Sequence, residues 1–417
     1  MNIKTLLASG FILASLSSNA QSNKAYAITG DGNNDFAWMN IREVDLGSGQ
    51  VTKTLFLHNK SNFILTDALT KKSIEQTATS QGNVRTTRDY PTATMVAAAA
   101  FDKNSNRLYF IPMRLGELRW VDLNSKSENA QFYTLQSDVL RQADYNDESA
   151  NVTRMVIAAD GNGYAITNDG NHLIRFTTGK TPVITDLGNL VDAESNKGIS
   201  VHNKCTSWGG DMIADAFGKL YVISASHQVF SVDINSRIAT HLGAITGLPA
   251  GYTTNGAAVN SDGDIIISSA VKFDGYFKLK LADLAATKIE GSDVKYNASD
   301  LAGSNLLLQK EADAANKFSM ANSGLKTIAT SGDTKVFPNP VTTSSFNVLF
   351  DGKKEGVYTI LLTDLAGRTL QSKVVNITKG VQTENVNLAT RPAKGMYMVK
   401  VLDENKQTVL TEKVMIQ

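Results

Sequence analysis

Cysteine is almost missing. Cys205 stands alone among 417 residues, so no internal disulfide forms and no Cys/His set has zinc-site spacing. Net charge is missing too: 41 Lys and Arg nearly cancel 40 Asp and Glu, and charged residues make up only 19%. That balance excludes the basic field that drives nucleic-acid binding. Past the first twenty residues no apolar run approaches the roughly 18 residues of a membrane helix, so no membrane span is expected. Aromatics reach only 7%, no enrichment for stacking on sugars. Proline is scarce, 7 residues against 31 glycines, and Asn, Asp, Ser and Thr are spread throughout, which reads as turn-rich, all-β chain. The 42% of hydrophobic residues, over this length, supports two or three domains.

The first segment is an address. Residues 1–20, MNIKTLLASGFILASLSSNA, combine Lys4, an apolar run from Leu6 to Leu16 and small residues at Ser18-Asn19-Ala20. This predicts a secretory signal peptide removed before Gln21.

Residues 21–315 carry a repeat of four short strands. Its copies begin at 94, 153, 210 and 255, the clearest being GDMIADAF, GKLYVISA, HQVFSVDI and RIATHLG. Repeats of this length predict a β-propeller, whose blades bury their faces only against neighbours. Strands at 24–30, 40–47 and 51–57 lack a first strand, and SDLAGSNLLL at 299–308 lacks the other three. Velcro closure, pairing the last strand with the first three, satisfies both. Five blades are counted, and the stretch 58–92 leaves room for a sixth.

In a propeller the first strand of each blade lines the channel, so polar residues at its start converge on one mouth. Arg154, Trp208, Asp211, Asn255 and Asp300 are therefore the candidate ligand-binding set. Asp211, Asn255 and Asp300 also offer hard oxygens that suit calcium. The repeats resemble, in pattern, secreted propellers of the NHL/gluconolactonase kind. That resemblance implies a channel metal held by a Glu, two Asn and an Asp, with lactonase or hydrolase chemistry. Arg154 departs from it, because an arginine repels a cation and clamps a carboxylate or sulfate. The competing explanation for each residue is structural: Asp and Asn at strand starts tie down backbone amides. His172, His202, His227 and His241 fall on separate elements without triad spacing, so no catalytic residue is named. Cys205 reads as a small buried thiol, and the Asp31–Asp35 loop as solvated, since Phe36 stands where a calcium loop needs glycine.

After a Ser/Gly/Thr/Ala-rich linker at 316–335 come six or seven short strands in residues 336–417, the pattern of a small immunoglobulin-like β-sandwich. Pro338-Asn339-Pro340 opens this segment, Asp364 to Arg368 make a turn, Gly395-Met396-Tyr397 lead a strand, and Lys413-Val414 lie in the last one. The segment resembles the type A C-terminal sorting domain of Bacteroidota type IX secretion. The resemblance implies export across both membranes, with the type IX machinery and its sorting protease as partners and a surface or extracellular destination. Taken together, the expected function is an exported propeller that binds a small polar or anionic ligand, saccharides included, at the channel mouth. A metal-dependent hydrolase and an adhesive or structural surface protein are the alternatives.

Overall fold

The computed structural model describes residues 22–32, 35–77, 80–81, 84–141, 146–291, 296–314, 334–341, 344–351, 353–364, 367–378, 381–388 and 392–416. The expected signal peptide and nearly all of the expected linker lie outside the described residues. The chain divides into two compact units, Met1–Phe318 and Ser319–Gln417.

Local chemistry makes the strands of the first unit. After each of four inner strands an Asp or Asn folds back over its own hairpin: Asp102 accepts from Asn104 N at 3.0 Å, Asp160 from Asn162 N at 3.0 Å, Asp215 from Phe217 N at 2.9 Å and Asn260 from Asp264 N at 2.8 Å. These Asx turns set the reversal without help from distant residues. Tyr164 and Tyr221 brace two of them, each hydroxyl donating to the turn aspartate. A second device ends the third strands. There Asp45, Asp122 and Asp233 cap the turn toward the fourth strand.

The hairpins assemble into five sheets whose inner strands touch in cyclic order, the arrangement of a five-bladed propeller. Blade 2 runs Val96–Asp102, Arg107–Pro112, Glu117–Asp122 and Ala130–Gln136; blade 3 runs Val152–Ile157, Gly163–Thr167, Leu173–Phe176 and Ile184–Asp186. Blade 4 is Asp211–Ala214, Lys219–Ile223, Gln228–Asp233 and Ile238–Ala244; blade 5 is Gly256–Val259, Ile265–Ser268, Phe277–Leu279 and Thr287–Lys288. Blade 1 draws on both ends of the unit. Its inner strand Ala298–Gly303 pairs antiparallel with Lys24–Thr29, Ile28 opposite Asp300, followed by Asn40–Asp45 and Val51–Phe56. The expected closure is thus present, and no inner strand keeps an open edge toward a missing blade. Part of the 58–92 stretch, Phe63–Asp67, adds a fifth strand parallel to Ala130–Gln136 on the outside of blade 2, so it supplies an edge rather than a sixth blade.

Small inner residues let the blades approach the axis. Ala99, Ala100, Ala257 and Ala258 line a channel only about 10 Å³ in free volume, no more than one water needs. Beyond Gly303 the chain crosses the far end of that channel: Asn305 lines it, and Leu307 bridges Asp215 of blade 4.

The second unit is a sandwich of a three-stranded sheet (Lys335–Phe337, Ser345–Asp351, Val381–Asn387) and a four-stranded sheet (Thr369–Ile377, Gly356–Thr363, Gly395–Leu402, Thr408–Ile416). Alternating residues such as Phe346, Val348 and Phe350 on one sheet face Ile360, Val399 and Val414 on the other.

Candidate functional site

Arg154 is not at an open mouth. Its side chain is wholly buried, and the guanidinium donates to the carbonyls of Gly209 at 3.1 Å, Thr167 at 3.1 Å and Ser207, with Asn168 O at 3.5 Å. Burial lowers it to about 10, so it stays charged at neutral pH. Its fork ties blade 3 to the loop before blade 4, with four of its five N–H donors spent on carbonyls and the whole side chain closed off from an incoming anion. Trp208, on that loop, donates Nε1–H to His202 O at 3.2 Å and lies under the Lys204 ammonium.

Asp211 and Asp300 do converge. Asp211 accepts from Met212 N at 2.7 Å, Ala257 N at 2.6 Å and Leu301 N at 3.4 Å, while Asp300 accepts from Ala99 N at 2.9 Å. Asn255 does not join them, because its carbonyl oxygen accepts from Ala270 N at 3.1 Å. These residues do not fit calcium. Backbone N–H groups hold three of the four carboxylate oxygens, so that only Asp300 Oδ1 is left where calcium needs about six to eight oxygens, and among the described residues no three His, Cys, Asp or Glu side chains gather at ligand spacing. The expected metal set is therefore corrected to a carboxyl pair plus a capping asparagine.

Two cavities replace the channel as places for a ligand. One, of about 200 Å³, opens between blades 2 and 3 on the face where inner strands begin, lined by Thr94, Met95, Arg114, Glu148, Thr153 and Asn168 among others. Arg114 is exposed with a left-handed backbone, φ 63°, which its N–H bond to Asn151 Oδ1 at 3.0 Å helps hold. Its guanidinium makes no hydrogen bond or ion pair among the described residues. The other cavity, about 220 Å³, lies at the seam of blades 1 and 5 beside Thr29, Gln50, Thr54, Tyr276 and Tyr296.

Sequence inspection missed Arg114 because it sits after a second strand, not at the start of a first. It also missed two buried arginines on third strands. Arg42 bonds Gly30 O at 2.8 Å and stacks 3.8 Å over the Tyr296 ring, and Arg119 pairs with buried Glu117 at 2.8 Å. The repeated Arg-x-Val-Asp-Leu of 42–46 and 119–123 is the signal that marks them. Cys205 is exposed, not buried, on the one-turn helix Lys204–Ser207, because that turn projects from the loop before blade 4. The histidines remain apart. Each is held locally, as His172 is by Asp186 and His202 by the Leu190 carbonyl.

In the second unit the motif residues meet. Asn339, between Pro338 and Pro340, donates Nδ2–H to Lys413 O at 2.8 Å and accepts from Met415 N at 3.0 Å, so the opening motif grips the last strand. Tyr397 pairs across from Val414, and its hydroxyl donates to Ala393 O at 2.6 Å, just ahead of Gly395.

Comparison with known proteins adds an assignment for this unit. Residues 335–417 match the family described as the secretion system C-terminal sorting domain. No curated protein matches the chain. Among solved structures, it is similar to PorZ, an essential bacterial surface component of the type IX secretion system of Porphyromonas gingivalis. There the identity is 15%, the TM-score 0.32, and the coverage 94% of this chain but 51% of that one. The chain thus spans about half of that protein's length. It is also similar to a virginiamycin B lyase from Staphylococcus aureus, at 10% identity, TM-score 0.28 and coverage of 76% and 83%. A quinonprotein alcohol dehydrogenase-like protein from Bacteroides thetaiotaomicron gives 11%, 0.30, 69% and 68%. Residues 335–417 are a type IX secretion sorting domain, and the chain is a propeller exported by that route to the cell surface or beyond it.

Proposed function

We propose that this exported propeller is a binding module that takes a small anionic or polar ligand, an acidic sugar unit for example, in the cavity between blades 2 and 3. The observation that carries this reading is Arg114, a planar five-donor fork beside a concave site, unengaged among the described residues. The neighbours suit an acidic sugar. A carboxylate meets Arg114, ring hydroxyls reach Glu148, Thr153 and Asn168, and the Met95 and Met113 side chains offer an apolar floor. The volume, about 200 Å³, is smaller than drug-sized pockets of roughly 300–1,000 Å³, which fits one sugar residue rather than a chain. In the same reading the linker at 316–335 is where a sorting protease separates the two units after export.

Titration calorimetry with acidic and neutral monosaccharides tests this reading. Binding of an acidic sugar that Arg114→Gln weakens is the expected result. Absence of binding across the panel leaves the adhesive or structural surface role.

A further inference from the structure

Asp211 and Asp300 meet at the hub of the ring with at most 1% of either exposed. Their roles differ. Both Asp211 oxygens already accept backbone N–H groups, Oδ1 from Met212 and Oδ2 from Ala257 and Leu301. Asp300 uses Oδ2 for Ala99 N, while its Oδ1 receives no N–H or O–H from any described group. Asp211 Oδ2 takes the N–H of Leu301, the residue after Asp300, at 3.4 Å, which brings the two carboxyls together at the axis. Two bare carboxylates in a dry site repel each other and lose their hydration, so such pairs hold a proton between them. The oxygen that lacks a donor is where that proton belongs, because the oxygens facing N–H groups are already stabilised as anions.

We propose that Asp300 carries a proton on Oδ1 at neutral pH and donates it to Asp211. The resulting acid–carboxylate bridge, in place of a metal ion, closes the hub across blades 1, 2, 4 and 5.

The surroundings agree in charge. Blades 2 and 5 present Ala99, Ala257 and Gly256 to the pair, and the second strand of blade 1 sets Ile28 opposite Asp300. Blade 3 contributes Arg154, whose charge acts on Asp211, with Asp169 behind it. Asp169 takes the larger share of that guanidinium's field, so the buried pair is left to offset its own charge with a proton. Burial first, then the Asp211 charge, pushes Asp300 well above the usual carboxylate range.

The sign of the linkage follows. The unfolded chain releases this proton near the ordinary Asp value of about 3.9, while the folded chain keeps it. The bridge's contribution is complete below about pH 4 and declines as pH rises through the pair's own titration. One retained proton corresponds to an unfolding constant that grows about tenfold per pH unit in that window.

Equilibrium unfolding of the full chain from about pH 4 to pH 9, with calcium or with a chelator, tests the bridge in the wild type, Asp300→Asn and Asp211→Asn. The Asp300→Asn amide keeps an acceptor for Ala99 N and supplies a permanent donor toward Asp211. That variant is expected to fold, to lose the steep slope and to outlast the wild type above about pH 8. Asp211→Asn sets an N–H against a backbone N–H and is expected to lose stability at every pH. Infrared spectra give a readout independent of any variant's folding: a buried carboxylic-acid C=O band in the wild type at neutral pH. Its absence, parallel pH profiles for wild type and Asp300→Asn, or a calcium-dependent stabilisation that Asp300→Asn removes, overturns the proposal.

Discussion

Asn305 and Ser22 hold each other across the join of the ring. Ser22 N donates to Asn305 Oδ1 at 2.9 Å, and Asn305 Nδ2 donates back to Ser22 O and to Val259 O at 2.8 Å. One side chain therefore fastens the first described residue to the strand that completes its own blade and to blade 5.

Cutting the chain after residue 295 removes Ala298–Gly303 and this clasp together. Blade 1 then loses its inner strand, and Lys24–Thr29 becomes an unpaired edge. The 21–295 fragment should aggregate or melt without cooperativity, whereas 21–315 should melt as one unit. Calorimetry and size-exclusion chromatography on both fragments check this, and equal behaviour would contradict the closure.

Arg154 and Arg114 should separate stability from binding. Arg154→Met leaves buried carbonyls of Gly209, Thr167 and Ser207 without their donor, a loss of about 3 kcal/mol. Arg114→Gln changes an exposed side chain and should move stability by no more than about 0.5 kcal/mol. Acidic-sugar affinity should fall by about tenfold or more in Arg114→Gln, by loss of a charge-assisted contact. Chemical denaturation and calorimetry on the two variants give both quantities.

Gly210 precedes Asp211 with φ 93°, and a Cβ there would overlap the Ile223 carbonyl oxygen. Gly210→Ala combines left-handed strain with a backbone clash, and relief would pull Asp211 off Ala257 N. The variant should lose at least about 2 kcal/mol. Gly161→Ala is the control: its φ is 78°, but nothing lies within 4 Å of the added carbon, so it should cost about 1 kcal/mol from backbone strain alone. Thermal melts of the pair rank the two.

Removing residues 408–417 takes the final strand, with buried Val414 and the backbone that Asn339 grips. The propeller is a separate unit, so it should fold while export fails. Cell fractionation in a type IX-competent host should find the truncated protein in the periplasm. Protease resistance of the propeller there confirms that folding was spared.

The hairpins, the repeat and the closure of the ring were legible in the residues alone. Each rests on local chemistry: an Asp that caps its own turn, as Asp215 and Asp233 do, or a strand whose missing partners can be counted, as at 299–308. The grip of Asn339 on the last strand was legible only as a motif, without its geometry. What the polar side chains do depends on the assembled ring. Arg154 and Arg114 differ little as letters, yet four carbonyls, from blade 3 and the loop before blade 4, surround the first, and the second has no side-chain partner among the described residues. Asp300 and Asn255 looked alike as strand-start oxygens, but only Asp300 faces another carboxylate, because the inner strands of blades 4 and 1, with blade 5 between them, both bring a carboxyl to the axis. Hydrogen-bond partners contributed by other blades have no local spacing, so burial and register alone assigned those roles.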